Sequence, residues 1–318
     1  MFDEPFRGSD AVRSGLLTRN QLFGPRYRRL YPDVYVRADR LPDLALRSRA
    51  AFVLVADRGG ALAGYSAAEL LGASCAPRDA PAEVLVPRDV RPHPGLLVSR
   101  GKIEPADVTS AAGCRVTAAE RTAWDLARRP PLVEAVVAVD ALARVGGFSP
   151  AVLLDRRKAA PRARGVRQLG EAVALADPAA ESPMETRLRV ALVLGRLPAP
   201  KAQHVIRDEH GFPLARADLA YPDARLDIEY DGAKHYDRLQ HLRDRDRDSL
   251  LAIHGWETLR VDAHGMGTGI LRTVQEVHRL LVPRAPERYG GIEIDRSLVD
   301  FMIESDSGRF RGFVGGRG

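Results

Sequence analysis

Arg225-Leu226-Asp227-Ile228-Glu229-Tyr230-Asp231 alternates apolar and acidic residues with a period of two. Strand side chains point to opposite faces in turn, so the pattern predicts a half-buried β-strand. Leu226, Ile228 and Tyr230 then face a core, and Asp227, Glu229 and Asp231 share the other face. Three carboxylates side by side repel one another, and a bound cation offsets that repulsion directly.

The residues just upstream enlarge the cluster. Residues 216–221 read as a second strand, with Pro222-Asp223 as the turn between the two. A hairpin symmetric about that bond sets Asp218 opposite Asp227 and diagonal to Glu229, on the acidic face. Diagonal neighbours lie ~7–8 Å apart, which lets Asp218 and Glu229 share one ion. Hard oxygen ligands of this kind suit Mg²⁺ or Mn²⁺ rather than zinc. Gly232 ends the strand, where backbone can approach a substrate, and Lys234 and His235 follow at the rim. The competing reading is a solvated sheet face with Arg216 and Arg225 as counter-charges.

Further outward, periodicity gives a helix at 184–197, a strand at 203–207, a long charged helix at 237–253, a strand at 256–261 and a helix at 271–281. Ser182-Pro183-Met184-Glu185 is a helix start. Ser182 caps, Pro183 suits the first position, and Glu185 can complete a capping box or join the acids. Asp244-Arg245-Asp246-Arg247-Asp248 reads as an exposed helix face with internal ion pairs, from which Arg247 can turn inward to the acids. The expectation for 182–283 is an α/β domain with an αβββαβ core and a mixed sheet.

At these residues the chain resembles the DUF559 family of restriction-endonuclease-like proteins, related to the very-short-patch mismatch-repair endonucleases. The stretches that carry the resemblance are ADLAYPDARLDIEYDGAKHY, DRDRDSLLAIHGWETLRV, SPMETRLR and LPAPKAQHVI. The resemblance implies a PD-(D/E)xK nuclease core, with Asp218 as first acid, Glu229 as second and Glu185 as helix acid. Asp231 stands where the lysine is expected, so Asp231 itself, Lys234 or His235 would have to serve the attacking water. Asp218 and Glu229 would hold Mg²⁺ or Mn²⁺, with Lys234, Arg216 and Arg247 gripping the nucleic acid. The reading is a metal-dependent endonuclease acting on DNA, RNA not being excluded. Its alternative is a non-catalytic nucleic-acid-binding or antitoxin-like regulatory protein of a phage-defence or toxin–antitoxin pair.

The first half carries no catalytic constellation. Thr18 can cap a short helix, the basic Arg26-Tyr27-Arg28-Arg29 follows, and Val34-Tyr35-Val36 is β-like. These features fit a trimmed winged helix or a solvated basic loop. Helices are expected at 44–56, 66–71 and 132–142, strands at 83–86 and 96–98, and a capping box at Thr117 and Glu120. The domain layout is a mainly helical α+β domain at 1–155, a basic linker and helix at 156–181, the α/β domain at 182–283 and an irregular Gly/Arg-rich tail at 284–318. The N-terminal half resembles the upstream region of actinobacterial proteins related to AbiEi-type antitoxins.

Bulk properties bound these readings. Hydrophobic content of 45% with 28% charged is that of a soluble globular chain. There is no apolar run of the ~18 residues a membrane helix needs, and MFDEPFRGSD lacks the apolar core of a secretory signal, so a cytoplasmic protein is expected. The net charge is +6, with lysine only at 102, 158, 201 and 234. That arginine excess fits a polyanion partner and genomic base bias alike. No protein partner is identified by the sequence.

Overall fold

The computed structural model describes residues 2–88, 90–232 and 238–297, with backbone alone for 238–245. Two compact units divide the chain. One comprises Met1–Leu126 with Val145–Phe148, the other Ala127–Arg144 with Ser149–Gly308.

In the second unit the predicted αβββαβ order is present. Helix α1 spans Pro183–Leu194, with Ser182 accepting a hydrogen bond from the Glu185 N–H and Pro183 at the start. Strands β1 (Lys201–Arg207), β2 (Pro213–Tyr221) and β3 (Leu226–Tyr230) follow. Helix α2 (Arg238–Ile253) then crosses to β4 (Glu257–Val261). The sheet order is β4-β3-β2-β1. The pairs β1–β2 and β2–β3 are antiparallel and β3–β4 is parallel, so the sheet is mixed. A parallel pair needs a long crossover, which α2 supplies. Leu219, Leu226 and Ile228 are fully buried, as the alternation requires. Helix α3 (Ile270–Leu281) ends the core with Ile270, Val274, Val277 and Leu281 on one buried stripe. Helices at Leu132–Gly146, Val152–Ala159 and Val166–Leu175 precede α1, so the basic run from 156 is partly helical.

The hairpin register differs from the symmetric one. Leu219 pairs with Ile228, Ala220 with Asp227 and Tyr221 with Leu226. The cause is the turn. Pro222–Ala224 forms a 3-10 turn and Arg225 adopts a left-handed conformation at φ 47°, so four residues rather than two make the connection. A shift of two residues keeps every side chain on its face, so Asp218 stays with Asp227 and Glu229. The irregular segment expected from 284 is ordered at its start. Pro286–Tyr289 is a short helix, and Tyr289 is fully buried. Its hydroxyl donates to Asp223 Oδ2 at 2.8 Å, and its ring meets that of Tyr221 edge-on.

The first unit holds two sheets. A three-stranded sheet has Phe6–Arg7 and Tyr27–Tyr31 flanking Val34–Arg37, with helices Gly8–Arg13 and Arg19–Leu22 inserted after the first strand. Thr18 caps the second helix, in a full capping box with Gln21. The basic stretch at 26–29 is thus mostly strand, with Tyr31 buried behind it. A five-stranded sheet has the order Leu96–Arg100, Ala82–Val86, Ala61–Leu62, Cys114–Thr117, Val108–Ala111. The capping box at Thr117 is not formed as expected. The helix begins at Ala119, and the Thr117 hydroxyl bonds that of Thr122 at 2.7 Å inside the core. Among the described residues no helix is long and apolar enough to cross a membrane.

Candidate functional site

Asp227 lies on the acidic face, opposite Ala220, and is fully buried. Its Oδ2 accepts hydrogen bonds from Arg247 Nη2 at 3.2 Å and Thr258 Oγ1 at 3.1 Å. Its Oδ1 is buried with no partner. A buried acceptor left unpaired is costly, so such atoms point to strain, function or an unseen ligand. Burial first, then the neighbouring Glu229, pushes the Asp227 carboxyl up to about 7, against the pull of Arg247.

Glu229 and Asp218 flank it. Glu229 contacts Arg247 Nη1 and lies 3.8 Å from Arg260 Nη2. Arg260 is held in turn by Asp248, with nitrogen–oxygen distances of 2.6 and 2.7 Å. Asp218 Oδ2 accepts from the Tyr230 N–H at 3.3 Å. Burial raises the Asp218 carboxyl, opposed by that N–H and by a bond from Gln203. Gln203 also donates to Glu185 Oε2 at 2.8 Å, from a backbone held left-handed at φ 51°. For a residue other than glycine that conformation is uncommon.

The expected site residues are thus distributed as follows. Asp218 and Glu229 are brought opposite each other by the register, and Asp227, opposite Ala220, lies beside them on the same face. Glu185 is buried and linked to Asp218 only through Gln203; its Oε2 also accepts the Glu181 N–H. The Ser182 cap is present, but Glu185 reaches past the Ser182 N–H, so the capping box is open. Asp231 stands exposed past the last residue of β3, its own N–H on the Val261 carbonyl at 2.9 Å. Lys234 and His235 lie outside the described residues. Arg216 is not a counter-charge to the acids, because it makes a two-pronged pair with Glu181 at 2.8 and 2.9 Å. Arg225 turns to the His254 carbonyl. The counter-charges are Arg247, which does turn inward, and Arg260, which alternation on β4 could have suggested. The ladder at 244–248 is not a set of internal pairs at its end, since Asp248 pairs across to β4.

Carboxylate oxygens are the donors a hard divalent ion takes, and Asp227 Oδ1 is buried here with no partner. The present geometry is arranged around a guanidinium instead. Among the described residues no three His, Cys, Asp or Glu side chains are disposed to hold one metal ion.

A second surface lies in the first unit. Arg19, Arg26 and Arg29 are exposed on the small helix pair and strand of 6–37, with no acid paired to them among the described residues. Phe23, 71% exposed, lies between Arg19 and Arg26 in the chain. Exposed cations with an aromatic ring are groups that nucleic acid binds.

Residues 60–173 match the family described as AbiEi antitoxin C-terminal domain. Two uncharacterized proteins from strains of Mycobacterium tuberculosis are each 31% identical over 168 residues, or 52% of this chain. The match spans 61% of the length of these curated relatives. No solved structure matches the chain.

Proposed function

We propose that the chain is a nucleic-acid-binding regulatory protein of the antitoxin kind, with no catalytic activity of its own. The carrying observation is the AbiEi match over residues 60–173, preceded in the chain by the strand–helix–helix–hairpin unit of 6–37. The sheet of that unit, with its last strand central, supports the trimmed-winged-helix reading. Arg19, Arg26 and Arg29 are the residues we assign to phosphate. The arginines filling the acid cluster fit a domain that no longer cuts. A protein toxin is the partner this reading implies.

Binding of a mixed-sequence duplex and of an RNA hairpin, followed by fluorescence anisotropy over a salt series, tests it. Arg26→Gln with Arg29→Gln is expected to reduce the salt slope by about 2, roughly one per lost phosphate contact. A slope unchanged in that double variant removes the assignment. Cleavage of either nucleic acid that needs Mg²⁺ or Mn²⁺ and is lost in Glu229→Gln turns the decision to the second reading.

That second reading is the DUF559-like endonuclease. It is favoured by the shared face of Asp218, Asp227 and Glu229 and by the unpartnered Asp227 Oδ1. Asp218 and Glu229 would hold Mg²⁺ or Mn²⁺, which when bound supplies an activated water and charge stabilisation at phosphorus. Asp231, two residues after Glu229 and exposed, would take the water's proton in place of the missing lysine.

A further inference from the structure

We propose that the second unit carries a nucleic-acid contact surface of its own, on the basic segments 128–129 and 156–167. The inference rests on the nucleic-acid-binding reading and adds to it a surface in the other unit from residues 6–37. Residues 156–167 hold six cations and no acid. They are not a loose linker. They form the last turn of the helix Val152–Ala159, a connection, and the start of the helix Val166–Leu175. Arg128 Nη1 donates to the Arg164 carbonyl at 2.8 Å, and Gln168 donates to the carbonyls of Ala127 and Arg129. Gly165, at φ 80°, comes so close to Arg128 that a Cβ there would lie 2.1 Å from the Arg128 carbonyl oxygen. Arg157 Nη1 lies against Gly170 of the second helix. The segments bearing the cations are thus tied to one another.

Arg157, Lys158, Arg162, Arg164 and Arg167 are exposed. The flanking acids, Asp155 and Glu171, pair with Lys158 and Arg167 at exposed positions, where ion pairs contribute little. Helix polarity accounts for Arg156, Arg157 and Lys158, in the last turn of their helix, but opposes Arg167, in the first turn of the next. Two features select the partner. All but one of the cations at 128–129 and 156–167 are arginines, whose planar fork fits two phosphate oxygens at once. Among the described residues no large hydrophobic side chain of 128–131 or 152–175 is exposed, so the surface lacks what a membrane contact buries. Duplex DNA carries one negative charge per about 1.7 Å of axis, a density that suits cations this close together in the chain.

The salt dependence of binding to a mixed-sequence DNA duplex, read by fluorescence anisotropy on the full chain, tests it. In Lys158→Gln with Arg162→Gln and Arg167→Gln, the slope of log K against log salt is expected to fall by about 3, near one per lost phosphate contact. The Lys158 and Arg167 side chains are 79% and 97% exposed and Arg162 is exposed, so these substitutions leave the core untouched. Arg162→Lys with Arg167→Lys keeps the charges and is expected to keep the slope. Arg272→Gln, at another exposed arginine of the same unit, is expected to keep it as well. An unchanged slope in the triple variant overturns the inference. So does a fall of about one in Arg272→Gln, since net charge rather than this surface then sets binding. The two surfaces fail separately. If the triple variant lowers the slope and Arg26→Gln with Arg29→Gln does not, this surface stands and the assignment at 6–37 falls. A wild type that binds neither the duplex nor the RNA hairpin removes both.

Discussion

Two sets of an aspartate, an arginine and a threonine are built into the second unit, and they have opposite characters. In the first, Asp140 accepts from Arg189 Nη2 at 2.7 Å, Thr186 Oγ1 at 2.9 Å and the Asp177 N–H at 2.7 Å. Both carboxylate oxygens are used, and the side chains of Asp140 and Arg189 are only 1% and 4% exposed, although Arg189 Nε is itself buried with no partner. Arg187 pairs with Glu134 alongside. In the second, Asp227 accepts from Arg247 and Thr258 on one oxygen and leaves the other bare. The same residue types thus make a closed joint between the helices Leu132–Gly146 and α1, and an open cluster on the sheet. What differs between the two sets is whether both oxygens of the buried aspartate are used, not composition.

The sharpest way to break this contrast is to remove each arginine. Arg189→Ala leaves a buried carboxylate with no cation and is expected to lower unfolding free energy by about 3–5 kcal/mol in urea titration. A loss below that of Arg247→Gln would erase the distinction. Next comes pH. Burial, outweighing Arg189, raises Asp140 from 3.8 to about 6. Between about pH 4 and 6 the folded protein then holds a proton that the unfolded chain has lost, so stability falls as pH rises through that window and levels off above it. The wild-type profile minus that of Asp140→Asn should decline by about 3 kcal/mol across the window. A flat or rising difference means that the Arg189 pair governs Asp140 instead. Arg247→Gln, at a partly exposed pair, should cost about 1.5–3 kcal/mol, the range of a hydrogen bond to a charged group. Smallest are the threonines. Thr186→Val is expected to cost about 1–2 kcal/mol, against 1 kcal/mol or less, roughly, for Thr258→Val, read as shifts of the urea midpoint.

The sheet was legible because period-two alternation at 225–231 is long and its breaks are marked by Pro222 and Gly232. The shared face of Asp218, Asp227 and Glu229 followed from parity alone, which survives a two-residue error in register. The register itself was not legible, since it depends on Arg225 adopting a left-handed conformation that arginine seldom takes. The fate of the arginines was only partly legible. Arg247 was expected to be able to turn inward, but Arg216 and Arg260 found partners, Glu181 and Asp248, that no local pattern links to them. In the first unit, two-residue strands such as Ala61–Leu62 are too short to show a period. Thr117 looked like a cap because its hydroxyl can bond locally, and the core claimed it first.

Tyr289 gives the order of synthesis a role in folding. The ring it covers, Tyr221, and the carboxylate it bonds, Asp223, leave the ribosome 66–68 residues earlier. At about 5–20 residues per second, that is a wait of roughly 3–14 s. Until then Tyr221 and Asp223 lack these two partners. A recombinant fragment cut at Pro283 would leave both without them permanently, so the useful boundary for expressing this domain lies beyond Gly291.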